Sequence, residues 1–395
     1  MQTRKQKTVL AVTGIRSEYD ILYPILRLME TSTEYDLKVV VCGAHLSDAH
    51  GNTWQTVEKD GFTIIDKVDS LLTTDRLTQR PKAVASLITG LSQTVDRLQP
   101  DFLMVVGDRE ESIATAIVGN YMDVLVVHIG GGDTVFGNAD DPIRTAVSKL
   151  AHIHFTTTQT YADNLISLGE EAWRIQFCGT PGLDNIANEV LLPLSKVSSA
   201  LKVSLDNYIV LLKHPLSSEH MGAYQQMKIT LAAAEEFCEQ HGFLCVVIQP
   251  NSDPGSSDIL KAIEEYKGNN LIFTKTLPRD IFVNLLRYAQ VLLGNSSMGI
   301  LEAPMHKLPV VNVGKRQQGR LNAGNVEFVE HNVEVIVSAI EKAAFDLDYR
   351  KKIELLDNPY GDGKASERIL SFLSKIQAPD YSRWHLKTQL VRPDE

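Results

Sequence analysis

The chain is short of basic charge, cysteine and long apolar runs, and each shortage removes a class of function. Lys and Arg number 39 against 49 Asp and Glu, a formal net charge of −10. No basic run offsets that balance, so DNA or RNA is not an expected partner. A small phosphate ligand stays open, because a few local arginines and helix N-termini suffice to hold one. The four cysteines, Cys42, Cys178, Cys238 and Cys245, show no C-x-x-C and no metal-ligand spacing. They predict buried, reduced thiols and no bound metal. No apolar run approaches the length of a membrane span, and Val9–Val12 is far too short for the core of a secretion signal. A soluble, cytoplasmic protein with no membrane partner is the expectation. The G-x-G-x-x-G fingerprint is also missing, which disfavours a nicotinamide cofactor.

What is present is globular: 395 residues, 44% apolar and 22% charged, enough for two α/β domains. Val9–Val12, Leu37–Val41, Phe102–Val106, Val124–Ile129 and His154–Thr157 read as strands buried on both faces. Ile21–Met29, Lys82–Leu98, Ser112–Tyr121 and Ile143–Leu150 carry helical spacing between them. Gly179-Thr-Pro-Gly182 interrupts the alternation, and the chain to about Leu205 reads as a hinge. It resumes with strands at Tyr208–Leu212, Leu244–Ile248, Leu271–Phe273, Val291–Leu293 and Pro309–Val313. Helices are expected at Ala223–Gln240, Ile259–Tyr266, Arg279–Ala289 and Val333–Phe345, and a last one at Ser366–Ile376. Such alternation predicts two Rossmann-like, doubly wound parallel-sheet domains facing one another across a cleft. The first is expected over residues 1–180, with 366–395 packing back on it, and the second over 206–365.

Polar residues directly after the strands of a parallel sheet lie on its ligand side. Seven such clusters occur. Arg16 follows Gly14 and opens a helix, suited to phosphate. His45, Asp48 and His50 sit on a glycine-containing loop whose spacing fits no single helix face, so a polar pocket wall is preferred to a metal site. Asp108 and Arg109 stand together after a strand, a carboxylate beside an anion-binding group. His128 is followed by Gly130-Gly131-Gly132-Asp133 and then by Asp140-Asp141-Pro142, where one aspartate suits a helix cap. Lys213-His214-Pro215 and Gln249-Pro250-Asn251 follow strands of the second domain. Gly294-Asn295-Ser296-Ser297 offers N–H groups and hydroxyls suited to a diphosphate, with Glu302 placed on the next helix for the hydroxyls of a ribose. Gly314-Lys315-Arg316 forms a basic loop after the last expected strand. Taken singly, each also fits a helix cap, a packed histidine or a solvated ion pair; together they form an enzyme pattern.

Gly294-Asn-Ser-Ser297 with Glu302, Gly-Lys-Arg316, Asn358-Pro-Tyr-Gly-Asp-Gly363, Gly107-Asp-Arg109 and Asp140-Asp-Pro-Ile-Arg144 resemble the UDP-N-acetylglucosamine 2-epimerase family. The resemblance runs from about Val9 to Leu373 and is closest to the hydrolysing branch, which makes precursors of sialic and legionaminic-type sugars. It implies a glycosyltransferase-B-like fold, a UDP-sugar substrate, no cofactor, and a homodimer or homotetramer. By the same resemblance Ser296 and Ser297 bind the diphosphate, Glu302 the ribose, and Asn251 with the backbone near Leu277 the uracil. Arg316 and His214 stand near the phosphates, His214 also as a candidate catalytic group, joined by Arg16 and Arg109, with His45 also at the substrate. Asp108 and Asp141 match the family's proton-transfer carboxylates. Two positions depart from the family pattern: Gly130 where a Glu is usual, and Thr145 where a His is common. Asp133 or Asp140 then stands in for the missing carboxylate. The activity implied is release of UDP with inversion at C2. A non-hydrolysing epimerase, a glycosyltransferase of the same fold and a non-catalytic nucleotide-sugar sensor are the competing classes.

Overall fold

A computed structural model describes residues 6–48, 51–72, 78–133, 141–216, 221–250, 255–275 and 277–387. The chain divides into two compact units, residues 1–185 with 360–395, and residues 186–359. The first contains β1 (Lys7–Thr13), α1 (Arg16–Glu30), β2 (Tyr35–Cys42), α2 (Trp54–Lys59), β3 (Ile64–Val68), α3 (Gln79–Leu98), β4 (Phe102–Val106) and α4 (Glu110–Tyr121). It continues with β5 (Leu125–Ile129), α5 (Asp141–Leu150), β6 (Ile153–Thr156), α6 (Gln159–Ser167), β7 (Ile175–Phe177) and most of α7 (Gly182–Ala187). All its strands pair in parallel, in the order β3-β2-β1-β4-β5-β6-β7.

Both faces of this sheet are covered, and the pleat divides the strand residues between them. Val9 and Ala11 of β1 join one buried cluster with α1, while Leu10 and Val12 join another with α3 and α4. The buried stripe of α1 runs Tyr19, Leu22, Ile25, Leu26, Met29 and interrupts itself with Pro24. Proline lacks the N–H that would reach the carbonyl of Asp20. Asn185 supplies the missing donor, its Nδ2 lying 2.7 Å from that oxygen.

The second unit contains α8 (Leu194–Leu201), β8 (Tyr208–Leu212), α9 (Ala223–His241), β9 (Leu244–Ile248), α10 (Ser256–Glu265), β10 (Leu271–Thr274) and α11 (Arg279–Tyr288). Then follow β11 (Val291–Gly294), α12 (Met298–Leu301), β12 (Val310–Val313), β13 (Val326–Val329), α13 (Val333–Phe345) and α14 (Leu347–Glu354). Its parallel order, β10-β9-β8-β11-β12-β13, repeats the central pattern of the first sheet. The stretch read from sequence as a hinge carries α8, whose Val197 is fully buried in the second unit's core with Leu205 and Tyr208.

The chain returns to the first unit for α15 (Ala365–Lys375) and α16 (Tyr381–His385). Both ends of α15 are satisfied by side chains. Asp184 accepts from the N–H groups of Ala365 and Ser366 at 2.9 and 2.6 Å, and Lys7 Nζ donates to the carbonyls of Leu373 and Ser374. Arg174, fully buried, donates to the carbonyls of Trp384 and Leu386, both at 2.6 Å. The four cysteines are free and buried. Among the described residues no helix is long and apolar enough to cross a membrane.

Candidate active site

In each sheet the strand order reverses once, between β1 and β4 in the first unit and between β8 and β11 in the second. Crossovers leave such a point in opposite directions, so the loops at its carboxyl end part and leave room for a ligand.

In the first unit these loops carry Gly14-Ile15-Arg16 and Gly107-Asp108-Arg109. Arg16 is the first residue of α1; its side chain is largely exposed and lies 3.8 Å from Asp20. Asp108 forms an ion pair with Arg144 of α5, and both side chains are mostly buried. Arg144 also donates to the Gly130 carbonyl at 2.8 Å and lies 3.9 Å from Asp133. One guanidinium therefore gathers two carboxylates and the glycine-rich turn. Asp133 keeps Oδ1 buried without a hydrogen-bond partner among the described residues. Asp141 opens α5, one turn before Arg144. Asp140, Asn251 and His50 lie outside the described residues.

Two backbone positions explain the glycines. Gly132 has φ +76°, and a Cβ there would stand 2.2 Å from the carbonyl oxygen of Tyr161; a Cβ on Gly131 would press on His128 and Ser148. His128 is completely buried, with Nε2 2.8 Å from the Gly107 carbonyl and Nδ1 3.2 Å from Ser148 Oγ. Burial first, then the neighbouring His154, pushes its pKa down to about 3, so the ring is neutral and holds the Asp108 loop against α5. His45 is likewise spent on structure. Its Nε2 meets Thr13 Oγ1 at 3.1 Å and its Nδ1 meets Thr53 Oγ1 at 2.7 Å; burial lowers its pKa to about 4. With both ring nitrogens engaged, it braces the loop after β2.

In the second unit, His214 follows β8 and Asn295 follows β11. Asn295 Oδ1 accepts from the His214 N–H at 2.7 Å, and its Nδ2 donates to the His214 carbonyl at 2.8 Å. The Asn295 carbonyl accepts from Arg316 Nη1 and Gln317 Nε2, each at 3.2 Å. Arg320 donates to Gln317 Oε1 at 3.0 Å. Ser296 and Ser297 lie beyond this clamp, partly buried, before α12. The sequence reading placed Glu302 on the following helix; α12 ends at Leu301 and Glu302 is its C-cap, the junction to a 3-10 turn that Pro304 enforces. The Leu277 side chain packs against the apolar cluster beneath α11. Thus His214, Asn295, Ser296, Ser297 and Arg316 lie around one switch point, and Asp108, Arg109, Asp133, Asp141 and Arg144 belong to the loops and helices around the other.

The family model for UDP-N-acetylglucosamine 2-epimerase matches residues 27–374. The chain belongs to that family. It is 32% identical to the UDP-N,N'-diacetylbacillosamine 2-epimerase (hydrolyzing) of Legionella pneumophila, over 94% of this chain and 96% of that one. It is 31% identical to a UDP-N-acetylglucosamine 2-epimerase of Neisseria meningitidis serogroup B, over 97% and 98% of the two chains. The fold also matches the crystal structure of a Neisseria meningitidis UDP-GlcNAc 2-epimerase bound to UDP-GlcNAc, with a TM-score of 0.77 at 19% identity, covering 93% of this chain and 100% of that one. The resemblance read from the motifs thus holds at family level, and the chain is an epimerase-family enzyme with the two Rossmann-like units of the glycosyltransferase-B-like class.

Two features of this epimerase-family site escaped the sequence reading. Gln317 is buried and bonds Asn295, but a glutamine in a basic loop carries no charge signal. Glu18 and Glu111 are buried at the first switch point, at 6% and 5% exposure. Both occupy helix first turns, where acidic residues are ordinary.

Proposed function

We propose that the protein is a hydrolysing 2-epimerase of UDP-N-acetylglucosamine or a related UDP-acetamido sugar, releasing UDP and the 2-epimerised free sugar of the N-acetylmannosamine type. The observation that carries this reading is the Asp108–Arg144–Asp133 array beside a glycine-rich turn, in a chain of this family. A carboxylate fixed by a guanidinium, next to backbone free of side chains, suits proton transfer at a sugar carbon.

The reaction runs in two steps. A carboxylate of the set Asp108, Asp141 and Asp133 takes the proton from C2 while the C1–O bond breaks and its electron pair leaves with UDP. The sugar becomes a C1=C2 unsaturated glycal. Water then adds its hydroxyl to C1 as a carboxyl group delivers a proton to C2 from the opposite face. The sum is UDP-sugar plus water giving UDP plus the epimer, with no redox carrier. Ser296, Ser297, Arg316 and His214 hold the diphosphate and offset the charge it gains on leaving. Glu302 accepts from the ribose hydroxyls, Asn251 and the backbone at Leu277 hold the uracil, and Arg16 and Arg109 add guanidinium groups for phosphate oxygens. His45 supports the substrate loop rather than touching the sugar. On this reading the enzyme works in the cytoplasm as a homodimer or homotetramer.

The test is incubation with a panel of UDP-acetamido sugars, followed by quantification of nucleotide and sugar. One free UDP per epimerised sugar is expected. Epimerisation with the sugar–UDP bond retained would instead indicate a non-hydrolysing enzyme, and label transferred to an acceptor would indicate a glycosyltransferase.

A further inference from the structure

The first turns of α1 and α4 bring together two carboxyl groups to which the proposed reaction gives no part. The Glu18 and Glu111 side chains are buried in contact with each other. Glu18 Oε2 accepts from the Gly14 N–H at 3.1 Å, while Oε1 of Glu18 and Oε1 of Glu111 are both buried and receive no N–H hydrogen bond from the described residues, Glu111 Oε1 having only the Arg109 guanidinium close by. Two ionised carboxylates cannot be held this way in a site of low polarity. Their charged neighbours among the described residues are few. Arg109 Nε lies 3.4 Å from Glu111, and Arg109 also approaches Glu110 at 3.9 Å. Arg80 pairs with Glu110. Cys42, at the end of β2, and His45, beside Gly14, are further titratable groups nearby; burial pushes the thiol up and the imidazole down, so both stay neutral. Among the described residues three carboxyls therefore face two guanidinium groups, and one proton makes that set electroneutral. Gly14 belongs to the same arrangement: a Cβ there would stand 2.3 Å from Glu111 Oε1.

We infer that Glu18 and Glu111 form an acid–carboxylate pair sharing one proton, and that this pair is a positioning device that fixes Arg109 at the first switch point. Glu18 carries the proton and donates it to Glu111, and Glu111 in turn holds Arg109. Burial, reinforced by the Glu111 carboxylate, raises the Glu18 pKa well above the ordinary 4.5, in keeping with this arrangement. The second half of the inference rests on the reading of Arg109 as a ligand of UDP phosphate. Loss of the shared proton at alkaline pH would add a negative charge beside Arg109, turning it towards the carboxylates and opposing a diphosphate.

The experiment compares the wild type with E18Q, E18A and C42S. The amide introduced by E18Q mimics the protonated acid: its NH2 group donates to Glu111 and its carbonyl accepts from Gly14. In ligand-free protein at neutral pH, the infrared band of a protonated carboxylic acid is expected in the wild type and reduced in E18Q. Folded-state protonation also predicts that the stability of the wild type relative to E18Q declines as pH rises above about 4.5. For UDP binding by calorimetry, the affinity of the wild type and C42S is expected to fall about tenfold on the alkaline side, that of E18Q to stay flat, and that of E18A to be weak throughout. Absence of the band difference overturns the proton-sharing pair whatever UDP does. An alkaline limb retained by E18Q overturns the role of the pair in fixing Arg109. A wild type that shows the band difference but binds no UDP overturns the proposed function and leaves the pair standing.

Discussion

Asn295 occupies both backbone hydrogen-bonding groups of His214, accepting from its N–H at 2.7 Å and donating to its carbonyl at 2.8 Å. The two residues follow β8 and β11, so one amide side chain ties together the loops on either side of the second switch point. Its own carbonyl then receives Arg316 and Gln317. Replacing it by aspartate removes the Nδ2 donor and sets an acceptor against the His214 carbonyl. N295D is expected to lose about 1–3 kcal/mol of stability, the penalty for an unsatisfied buried polar group, and to weaken UDP binding further than that loss alone explains. Urea denaturation and calorimetric titration with UDP check both; unchanged values would contradict the clamp.

Gly132 and Gly14 each exclude a side chain for a different reason. At Gly132 a Cβ meets a backbone carbonyl at 2.2 Å and φ is +76°, whereas at Gly14 it meets the end of the Glu111 side chain. G132A is therefore expected to be the more destabilising, by about 3 kcal/mol or more, and G14A to cost about 1–3 kcal/mol. Melting temperatures of the two variants measure the order, and equal or reversed values would refute it.

Asp108 and Arg144 form the ion pair at the centre of the proposed chemistry. D108N keeps the shape and removes the base, so kcat should fall about a hundredfold to ten-thousandfold while UDP affinity changes little. A rise in KM with kcat unchanged would assign Asp108 to binding. Because the two residues act together, D108N with R144M should cost less than the product of the single losses.

The buried imidazoles set the acid limit of stability. His128 and His152 have pKa values lowered to about 3, and His45 to about 4, chiefly by burial. The unfolded chain takes up these protons near 6.5 and the folded chain does not. Their stabilisation is thus complete above about 6.5 and lost as pH falls towards 3. Denaturant midpoints should drop steeply through this interval, with a shallower slope in H128N; a flat profile would contradict the neutral histidines.

The sequence made the central strands legible and, of the edge strands, only Leu271–Thr274. Phe102–Val106, Tyr208–Leu212 and Leu244–Ile248 have the bounds expected of them, because a strand covered on both faces must be apolar throughout. The strands missed, Ile64–Val68, Ile175–Phe177 and Val326–Val329, are all at sheet edges. They are short or partly exposed and carry charged or polar residues such as Asp66, Lys67, Gln176 and Glu327, so no apolar run marks them. In the candidate site, the clusters after strands were readable because Gly, Ser, Asp and Arg at those places are unusual. The Asp108–Arg144 pair was half legible, since both residues stood in motifs but nothing joined them. Glu18 and Glu111 were hidden because only the fold brings two first-turn carboxyls, far apart in sequence, into contact.

On the proposed route UDP departs as C2 is inverted through an unsaturated sugar. Proton NMR of the reaction with a UDP-acetamido sugar in heavy water tests it most directly. Free UDP and an epimerised free sugar carrying one deuterium at C2 are expected. Retention of hydrogen at C2 in the product, or a product still joined to UDP, would contradict it.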